Sequence, residues 1–188
     1  WNLKKNFNLI KKNMKNFNFF LKKEFFPISL VLILAFSRII PHPPNFTPII
    51  TIAIMSGYLF RNIYLSIATL LISMLLSDAF IGFYKNMFFV YLSLLFIVYI
   101  FYKIGSKINF KNLFLFSIFG SFIFYLISNF GVWYFGSLYE KNFNGLIECY
   151  LLAIPFFKNT MISTIIFSYA AFFANSLHIK NYKTKNKT

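Results

Sequence analysis

Long apolar runs, nearly free of charge, alternate along this chain with short polar connections. A helix needs about 20 apolar residues to cross the ~30 Å hydrocarbon core of a bilayer. The runs therefore predict six membrane-spanning helices, at residues 25–41, 46–60, 63–83, 87–104, 113–130 and 155–175. The second run is short, about 22 Å at a rise of about 1.5 Å per residue, so it either thins the bilayer or sits behind neighbouring helices.

The last apolar stretch, residues 145–177, is too long for one straight crossing, and Pro155 divides it. Proline is tolerated at the first position of a helix, so we place the start of the sixth span at residue 155 or 156. Residues 145–154 then form a short helix or re-entrant segment near the outer surface. The predicted fold class is an all-α integral membrane protein with six transmembrane helices and a short extra outer segment before the last one.

The chain has 19 Lys and Arg residues against 4 Asp and Glu, and the basic residues cluster in alternate connections. With six spans, fifteen basic residues fall on the side that holds both chain ends, and four fall on the other side. Cytoplasmic loops carry an excess of Lys and Arg, so both termini are predicted to be cytoplasmic. Because topology accounts for the charge, we expect the lipid bilayer as a partner and no nucleic acid.

Composition supports the membrane class. Hydrophobic residues make up 59% of the chain and aromatic residues 23%, and the mean hydropathy is +0.66. Such a chain cannot hide its apolar surface in one soluble core, so lipid must cover much of it. The abundance of Lys, Asn, Ile and Phe is typical of an AT-rich bacterial genome. We therefore expect a multi-pass protein of the bacterial cytoplasmic (inner) membrane.

The pattern predicts a basic cytoplasmic tail at residues 1–24, a six-span membrane domain at 25–177 and a second basic cytoplasmic tail at 178–188. Apolar residues of the first tail repeat at spacings of three and four, at Leu3, Phe7, Ile10, Met14, Phe17 and Leu21. Such a stripe among lysines is typical of an amphipathic helix on anionic lipid. Two interpretations stay open, a docking helix for a cytoplasmic partner and a basic tail that only sets the orientation.

The chain begins with Trp1, and Met14 offers an alternative start, in which case residues 1–13 precede the true start. The basic lead and the Ala35-Phe36-Ser37 string also resemble a secretory signal. The spans that follow favour an uncleaved first helix.

Ionisable side chains gather near the outer ends of the spans, whereas the inner halves hold mainly apolar residues, Ser, Thr and Tyr. Burying an ionised group in lipid is costly, so these side chains should face a cavity or one another. A channel needs polar lining along its whole length, so the pattern favours a pocket that opens outward. We predict that ten residues bind substrate there: Arg38, His42, Asn45, Asp78, Asn129, Trp133, Glu148, Tyr150, Lys158 and Asn159.

The charges of this predicted pocket nearly cancel, because Arg38 and Lys158 are opposed by two acidic residues. A neutral or zwitterionic ligand suits them, with a ring stacked on Trp133 or Tyr150. The alternative is that Arg38 and Asp78 simply pair, which would make the cluster an ion-pair network rather than a pocket.

Enzymatic and metal-dependent functions are not indicated. Cys149 is the single cysteine, which excludes an internal disulfide or a cysteine-cluster metal site, and His42 and His178 lie at opposite ends of the spans. The sequence holds no Walker motif and no nucleophile–base spacing. We therefore expect no catalytic residues, no metal and no cofactor, and any energy that the protein uses must come from a partner or an ion gradient.

The segment at residues 38–48 reads Arg-x-x-Pro-His-Pro-Pro-Asn-Phe-Thr-Pro, and its four prolines fix an extended connection. Four further strings support it: Leu-Ser-Asp at 76–78, Asn-Phe-Gly-Val-Trp at 129–133, Gly-Leu-x-x-Cys-Tyr at 145–150 and Ile-Pro-Phe-Phe at 154–157. Together they resemble a family of small bacterial membrane proteins of uncharacterised function that are usually described as transport proteins.

The resemblance covers residues 36–175. That family is in turn similar to the substrate-binding S-components of energy-coupling-factor transporters. The similarity implies a six-helix bundle, an outward-facing pocket and an inner contact with a transmembrane coupling subunit and ATPases. S-components often carry an Ala-x-x-x-Ala contact in the first helix. The first span here has none, and the nearest substitutes are Ala53 with Gly57 and Ala170 with Ala174.

The resemblance and the polar cluster predict a small-molecule uptake subunit for a vitamin or metabolite. It would bind substrate in the outward-facing pocket and rely on partner subunits for energy. The alternative is a structural membrane subunit of a cell-shape or envelope-assembly complex, which works through protein contacts. A flat, ligand-free outer surface would favour this alternative.

Overall fold

The computed structural model describes residues 24–185, which form seven α-helices and one short 3-10 turn, Gly105–Lys107. The helices are α1 (Glu24–Ser37), α2 (Ile49–Leu59), α3 (Ile63–Ile81), α4 (Met87–Ile104), α5 (Leu113–Phe135), α6 (Phe143–Leu152) and α7 (Ile154–Lys185). The predicted all-α class is confirmed over this part of the chain. The apolar stripe predicted for residues 3–21 lies outside the described residues.

Four stretches are long and apolar enough to cross a membrane: Ile63–Ile81, Met87–Lys107, Leu113–Phe135 and Ile154–Tyr182. The bundle exposes many large apolar side chains on these helices, among them Phe80 and Leu115. Exposed large apolar side chains in this number are typical of proteins whose outside contacts lipid. The helices therefore indicate a membrane protein, in which α1 and α2 are shorter than the four long stretches.

The short helix α2 lies at the centre of the bundle, in contact with α3, α4, α5 and α7. Nine of its eleven residues are buried. A helix that is apolar on every side is buried on every side, and α2, at about 16 Å, is shorter than the bilayer core. The structure thus shows the second of the two predicted arrangements, in which this segment sits behind its neighbours.

Close packing of α2 on α4 depends on Gly57. A Cβ atom there would come within 2.6 Å of the Val98 carbonyl oxygen and 2.8 Å of the Tyr102 backbone nitrogen. Ala53, one turn earlier, is also fully buried. Both small residues therefore lie inside the bundle, where Gly57 allows the close approach of α4.

Three of the predicted span ends are wrong by four to ten residues. Helix α1 ends at Ser37 rather than 41, because a proline disfavours helical backbone in the residue before it and Pro41 follows a turn. Helix α5 continues past residue 130 to Phe135, where the Gly136 N–H bonds to the Val132 carbonyl. Helix α7 continues from residue 175 to 185, since its polar residues are compatible with a helix and no later Gly or Pro interrupts it.

The connections gather at two ends of the bundle. The proline end comprises residues 38–48, 82–86 and 136–142. The lysine end comprises residues 60–62, 105–112 and the last turns of α7. Helix α6 lies along α5 at the proline end. The Tyr150 hydroxyl on α6 donates to the Leu126 carbonyl on α5 over 2.6 Å. The predicted short segment before the last helix is confirmed, at Phe143–Leu152 instead of 145–154.

Candidate functional site

A buried ion pair connects the end of α1 to α3 at the proline end. Arg38 Nη2 lies 2.8 Å from Asp78 Oδ1, and the two side chains are 7% and 0% exposed. Tyr91 on α4 donates its hydroxyl hydrogen to Asp78 Oδ2 over 2.8 Å. Arg38 Nη1 donates to Ser77 Oγ and Met74 Sδ. A charge buried without a partner is strongly destabilising, so this pairing fixes three helices relative to one another.

A cavity of about 350 Å³ opens beside this ion pair, and we call it the proline-end cavity. Its volume is in the range of small-molecule binding sites. Its lining comes from the proline end and from α2, α4, α5 and α7: Arg38, Asn45, Thr47, Ile49, Tyr84, Asn86, Val90, Phe124, Tyr125, Ser128, Asn129, Val132, Ala153, Phe156, Phe157 and Thr160. Among the residues that the structure describes, Arg38 is the one charged side chain in this lining.

Three hydrogen bonds hold the proline-rich segment against α7, one of them from Ser163 Oγ to the Thr47 carbonyl over 3.0 Å. Asn159 Nδ2 donates to the Pro44 carbonyl over 3.0 Å, and Thr160 Oγ1 donates to the Asn45 carbonyl over 3.4 Å. Asn45 adopts a left-handed backbone, with φ of 59°, which asparagine tolerates better than most residues. The wall that Asn45 contributes to the cavity is therefore positioned by contacts with α7.

Tyr84, in the connection between α3 and α4, adds a hydroxyl group to the lining. Burial, and to a smaller extent the negative charge of Asp78, raises the pKa of Tyr84 to about 12 against the opposing charge of Arg38. A phenol is protonated at neutral pH and can donate a hydrogen bond. The amides of Asn86 and Asn129 join it in the lining.

Aromatic residues from two helices form part of the apolar lining, beside the aliphatic Ile49, Val90, Val132 and Ala153. Phe124 and Tyr125 come from α5, and Phe156 and Phe157 come from the first turn of α7. The ring centroids of Tyr125 and Phe157 are 4.8 Å apart, within the range of favourable aromatic pairs. The lining thus combines polar residues with aromatic ones, which is the composition of a small-molecule site.

The structure brings five of the ten predicted residues together. Arg38, Asn45 and Asn129 line the cavity. Asp78 pairs with Arg38, so the pairing considered as an alternative is present, and the cavity lies beside it. Asn159 holds the segment that carries Asn45.

The other five predicted residues lie outside the lining. His42 is exposed, with ring nitrogens 2.9 and 3.3 Å from backbone carbonyl oxygens of the proline segment. Trp133 Nε1 donates to the Glu140 carbonyl over 2.9 Å, and Tyr150 holds α6 on α5. Glu148 and Lys158 are exposed. Among the described residues, no three His, Cys, Asp or Glu side chains come together to hold a metal ion.

Sequence reasoning missed most of the lining, although part of it carried a usable signal. Tyr125 lies four residues before Asn129, and residues four apart share a helix face. Phe156 and Phe157 directly follow Pro155, in a string already singled out. Tyr84 and Asn86 had no such signal. They lie in a short connection without hydrophobic periodicity, so the sequence does not indicate which way their side chains point.

A second cavity, of about 910 Å³, lies at the lysine end, and nothing in the sequence pattern predicted it. It is lined by residues of α1, α2, α4 and α7 and their connections: Glu24, Pro27, Gly57, Tyr58, Leu59, Phe60, Arg61, Tyr102, Gly105, Ser106, Asn175, His178, Ile179 and Tyr182. His178 stacks on Phe26 with ring centroids 3.9 Å apart, which joins the last turns of α7 to the start of α1.

Comparison with known proteins places the chain in a family. A family of unknown function, DUF6580, matches residues 20–185, a range that contains every described residue. No curated protein and no solved structure matches the chain. Because the match covers far more than half of the sequence, the chain belongs to DUF6580, a family of unknown function.

Proposed function

We propose that this protein is a small-molecule uptake subunit that binds its substrate in the proline-end cavity. The observation that carries the proposal is the cavity itself, which is lined by hydroxyl-bearing, amide-bearing and aromatic residues and lies beside a neutralised buried charge. Such a mixture is typical of sites that orient a small ligand. The proposed role is binding rather than catalysis.

The proposed orientation follows from charge. Arg61, Lys103, Lys107 and Lys111 lie at the lysine end with the basic C-terminal turns, so this end faces the cytoplasm under the positive-inside rule. The proline-end cavity then opens outward. In this topology α1 to α5 and α7 are the six crossings, α6 is the outer segment, and the protein lies in the bacterial inner membrane with both termini cytoplasmic.

The proposed subunit depends on partners for energy, because its sequence contains no nucleotide-binding motif. By its resemblance to S-components, the partners are a transmembrane coupling subunit and ATPases. Ala53 and Gly57 are buried between α2 and α4, so they cannot form the contact with such a partner. Ala170 is exposed and Ala174 is half-buried on α7, which makes this helix face the proposed coupling surface.

A co-purification experiment tests the binding role. The tagged protein is purified from its native membranes in mild detergent, and small molecules released by denaturation are identified by mass spectrometry. We expect one compound to be enriched over mock preparations and lost from Val132→Trp, which fills the cavity. Phe122→Trp introduces the same side chain at an exposed position of α5 and should retain the compound.

The same preparation distinguishes the alternative role. A coupling subunit with ATPases among the co-purifying proteins supports uptake. Cell-wall synthesis or cytoskeletal proteins, without any enriched small molecule, would contradict uptake and favour a structural subunit.

A further inference from the structure

The lysine-end cavity lies at the level where the long apolar stretches end. Its described lining includes Tyr102, near the end of the stretch Met87–Lys107, and Tyr182, the last residue of the stretch Ile154–Tyr182. The ends of spanning stretches lie where lipid headgroups meet the acyl chains, and tyrosine is enriched at this level. A molecule in this cavity is therefore at headgroup level rather than in the middle of the bilayer.

Helix length explains why protein does not fill this space. Helix α2 lies between α4 and α7 and ends at Leu59. In the part of the chain that the structure describes, α4 and α7 each contact α2 but not one another. The space past the end of α2 is therefore open, and its volume of about 910 Å³ is at the upper end of the range for binding sites.

The described lining offers an apolar surface. Pro27, Leu59, Phe60 and Ile179 contribute to it, and Ile179 is 44% exposed. Each methylene group that an acyl chain buries adds to its affinity for a protein surface of this kind. The lining thus suits a molecule that has a hydrocarbon chain.

The exposed charge around the cavity is positive. Arg61 is an exposed lining residue, and its side chain forms no ion pair within the described chain. Lys107 and Lys180 are also exposed, and each directly follows a lining residue. Glu24, the acidic residue of the described lining, is buried and has an interaction of its own. An anionic group therefore complements the charge at this end.

We propose that the lysine-end cavity binds an anionic phospholipid of the cytoplasmic leaflet, with an acyl chain against the apolar lining and the phosphate at Arg61. Basic pockets between transmembrane helices on the cytoplasmic side are suited to anionic headgroups. The orientation proposed above places the cavity in that leaflet. The assignment goes beyond the uptake role, since it concerns the opposite end of the bundle.

Two lipids with identical acyl chains test the assignment on the full chain in detergent. Phosphatidylglycerol has a net negative charge and phosphatidylcholine has none, and titration followed by native mass spectrometry gives their dissociation constants. We expect phosphatidylglycerol to bind about fivefold more tightly, the factor that one basic residue contributes beside an anionic lipid. Equal binding would overturn the assignment. Glycerol phosphate, the headgroup without chains, binding as tightly as the lipid would also overturn it.

A matched pair of charge substitutions distinguishes a site from general attraction. Arg61→Gln and Lys111→Gln each remove one exposed charge at the same end, but Lys111 is not a lining residue. We expect Arg61→Gln to lose the preference for phosphatidylglycerol and Lys111→Gln to retain it. Equal losses would show that overall charge attracts the lipid and would overturn the assignment.

A second pair tests the cavity itself. Ile179→Trp enlarges a lining residue and should weaken the binding of both lipids about tenfold, whereas Ile166→Trp, at an exposed position of α7 outside both linings, should retain it. Phosphatidylglycerol binding unchanged in Ile179→Trp would overturn the assignment. Neither position lines the proline-end cavity, so the co-purifying compound should stay bound in both variants, and the two proposals fail separately.

Discussion

The proline-end cavity has about 350 Å³ and the lysine-end cavity about 910 Å³, yet the smaller one has the more firmly held walls. Around the smaller cavity, a buried ion pair and hydrogen bonds between the proline segment and α7 connect separate parts of the chain. Around the larger one, ring contacts such as His178 on Phe26 join the helices, and Arg61 is exposed. Size alone therefore does not identify a preformed site.

The larger cavity has a simple origin in helix length. Helix α2 ends at Leu59 and α4 at Ile104, whereas α7 continues to Lys185. The space beside the last turns of α7 is thus left partly unfilled by the shorter helices. At the proline end the chain instead closes the space with the 38–48 segment, whose prolines restrict its backbone.

The largest expected difference between the two ends is in the cost of removing a charge. Asp78→Ala leaves Arg38 buried without its partner, and we expect it to destabilise the protein by about 3–5 kcal/mol. Arg61→Ala, at the exposed rim of the other cavity, should change stability by less than about 0.5 kcal/mol. Thermal unfolding in detergent, followed by size-exclusion fluorescence, measures both. If Asp78→Ala lowered stability no more than Arg61→Ala does, the buried ion pair would not stabilise the proline end.

A smaller difference is expected for two tyrosine hydroxyl groups. Tyr91→Phe removes the hydrogen bond to the buried Asp78 carboxylate, so it should cost about 1.5 kcal/mol. Tyr102→Phe removes a 3.1 Å bond to the Arg61 carbonyl at the lysine end, where water can replace it, and should cost about 0.5 kcal/mol or less. Unfolding midpoints of the two variants decide the matter. A larger loss in Tyr102→Phe would reverse the ranking of the two ends.

The smallest expected effect concerns the attachment of the proline segment. Asn159→Leu keeps side-chain volume but loses the bond to the Pro44 carbonyl, which should cost about 1 kcal/mol. Hydrogen exchange of the backbone amides of His42 and of residues 45–47 should become faster as that attachment weakens. The control is Asn181→Leu, the same substitution at an exposed lysine-end position. It should leave the hydrogen exchange of the proline segment unchanged. Unaltered exchange in Asn159→Leu would show that the bond from Asn159 to the Pro44 carbonyl does not hold the segment.

Hydropathy was sufficient to locate the helices and to place the ionisable residues near one end of the bundle, but not to give the direction of each side chain. The short α2 and the break near Pro155 were readable because length and proline are local properties. Trp133 and Glu148 lie near the proper end of the bundle and yet outside the lining. Helices that are apolar on all sides carry no periodic signal that says which face is inside.

The rest depended on long-range contacts. Tyr84 enters the lining through the turn after α3, and the large lysine-end cavity needs residues from both extremes of the described chain. The extension of α7 to Lys185 was predictable in principle, since no Gly or Pro follows Pro155 in that stretch. Its mixed polarity hid the extension, because the span was defined by hydropathy rather than by helical continuity.

Helix α7 is one uninterrupted rod that reaches both cavities. Its first turns carry Phe156 and Thr160 in one lining, and its last turns carry Asn175 and Tyr182 in the other. Thirty-two residues make a rod of about 48 Å, so a tilt of about 5° at one end displaces the other by about 4 Å. Because α7 contributes to both linings, a molecule that displaced its first turns would also shift the positions of Asn175 and Tyr182.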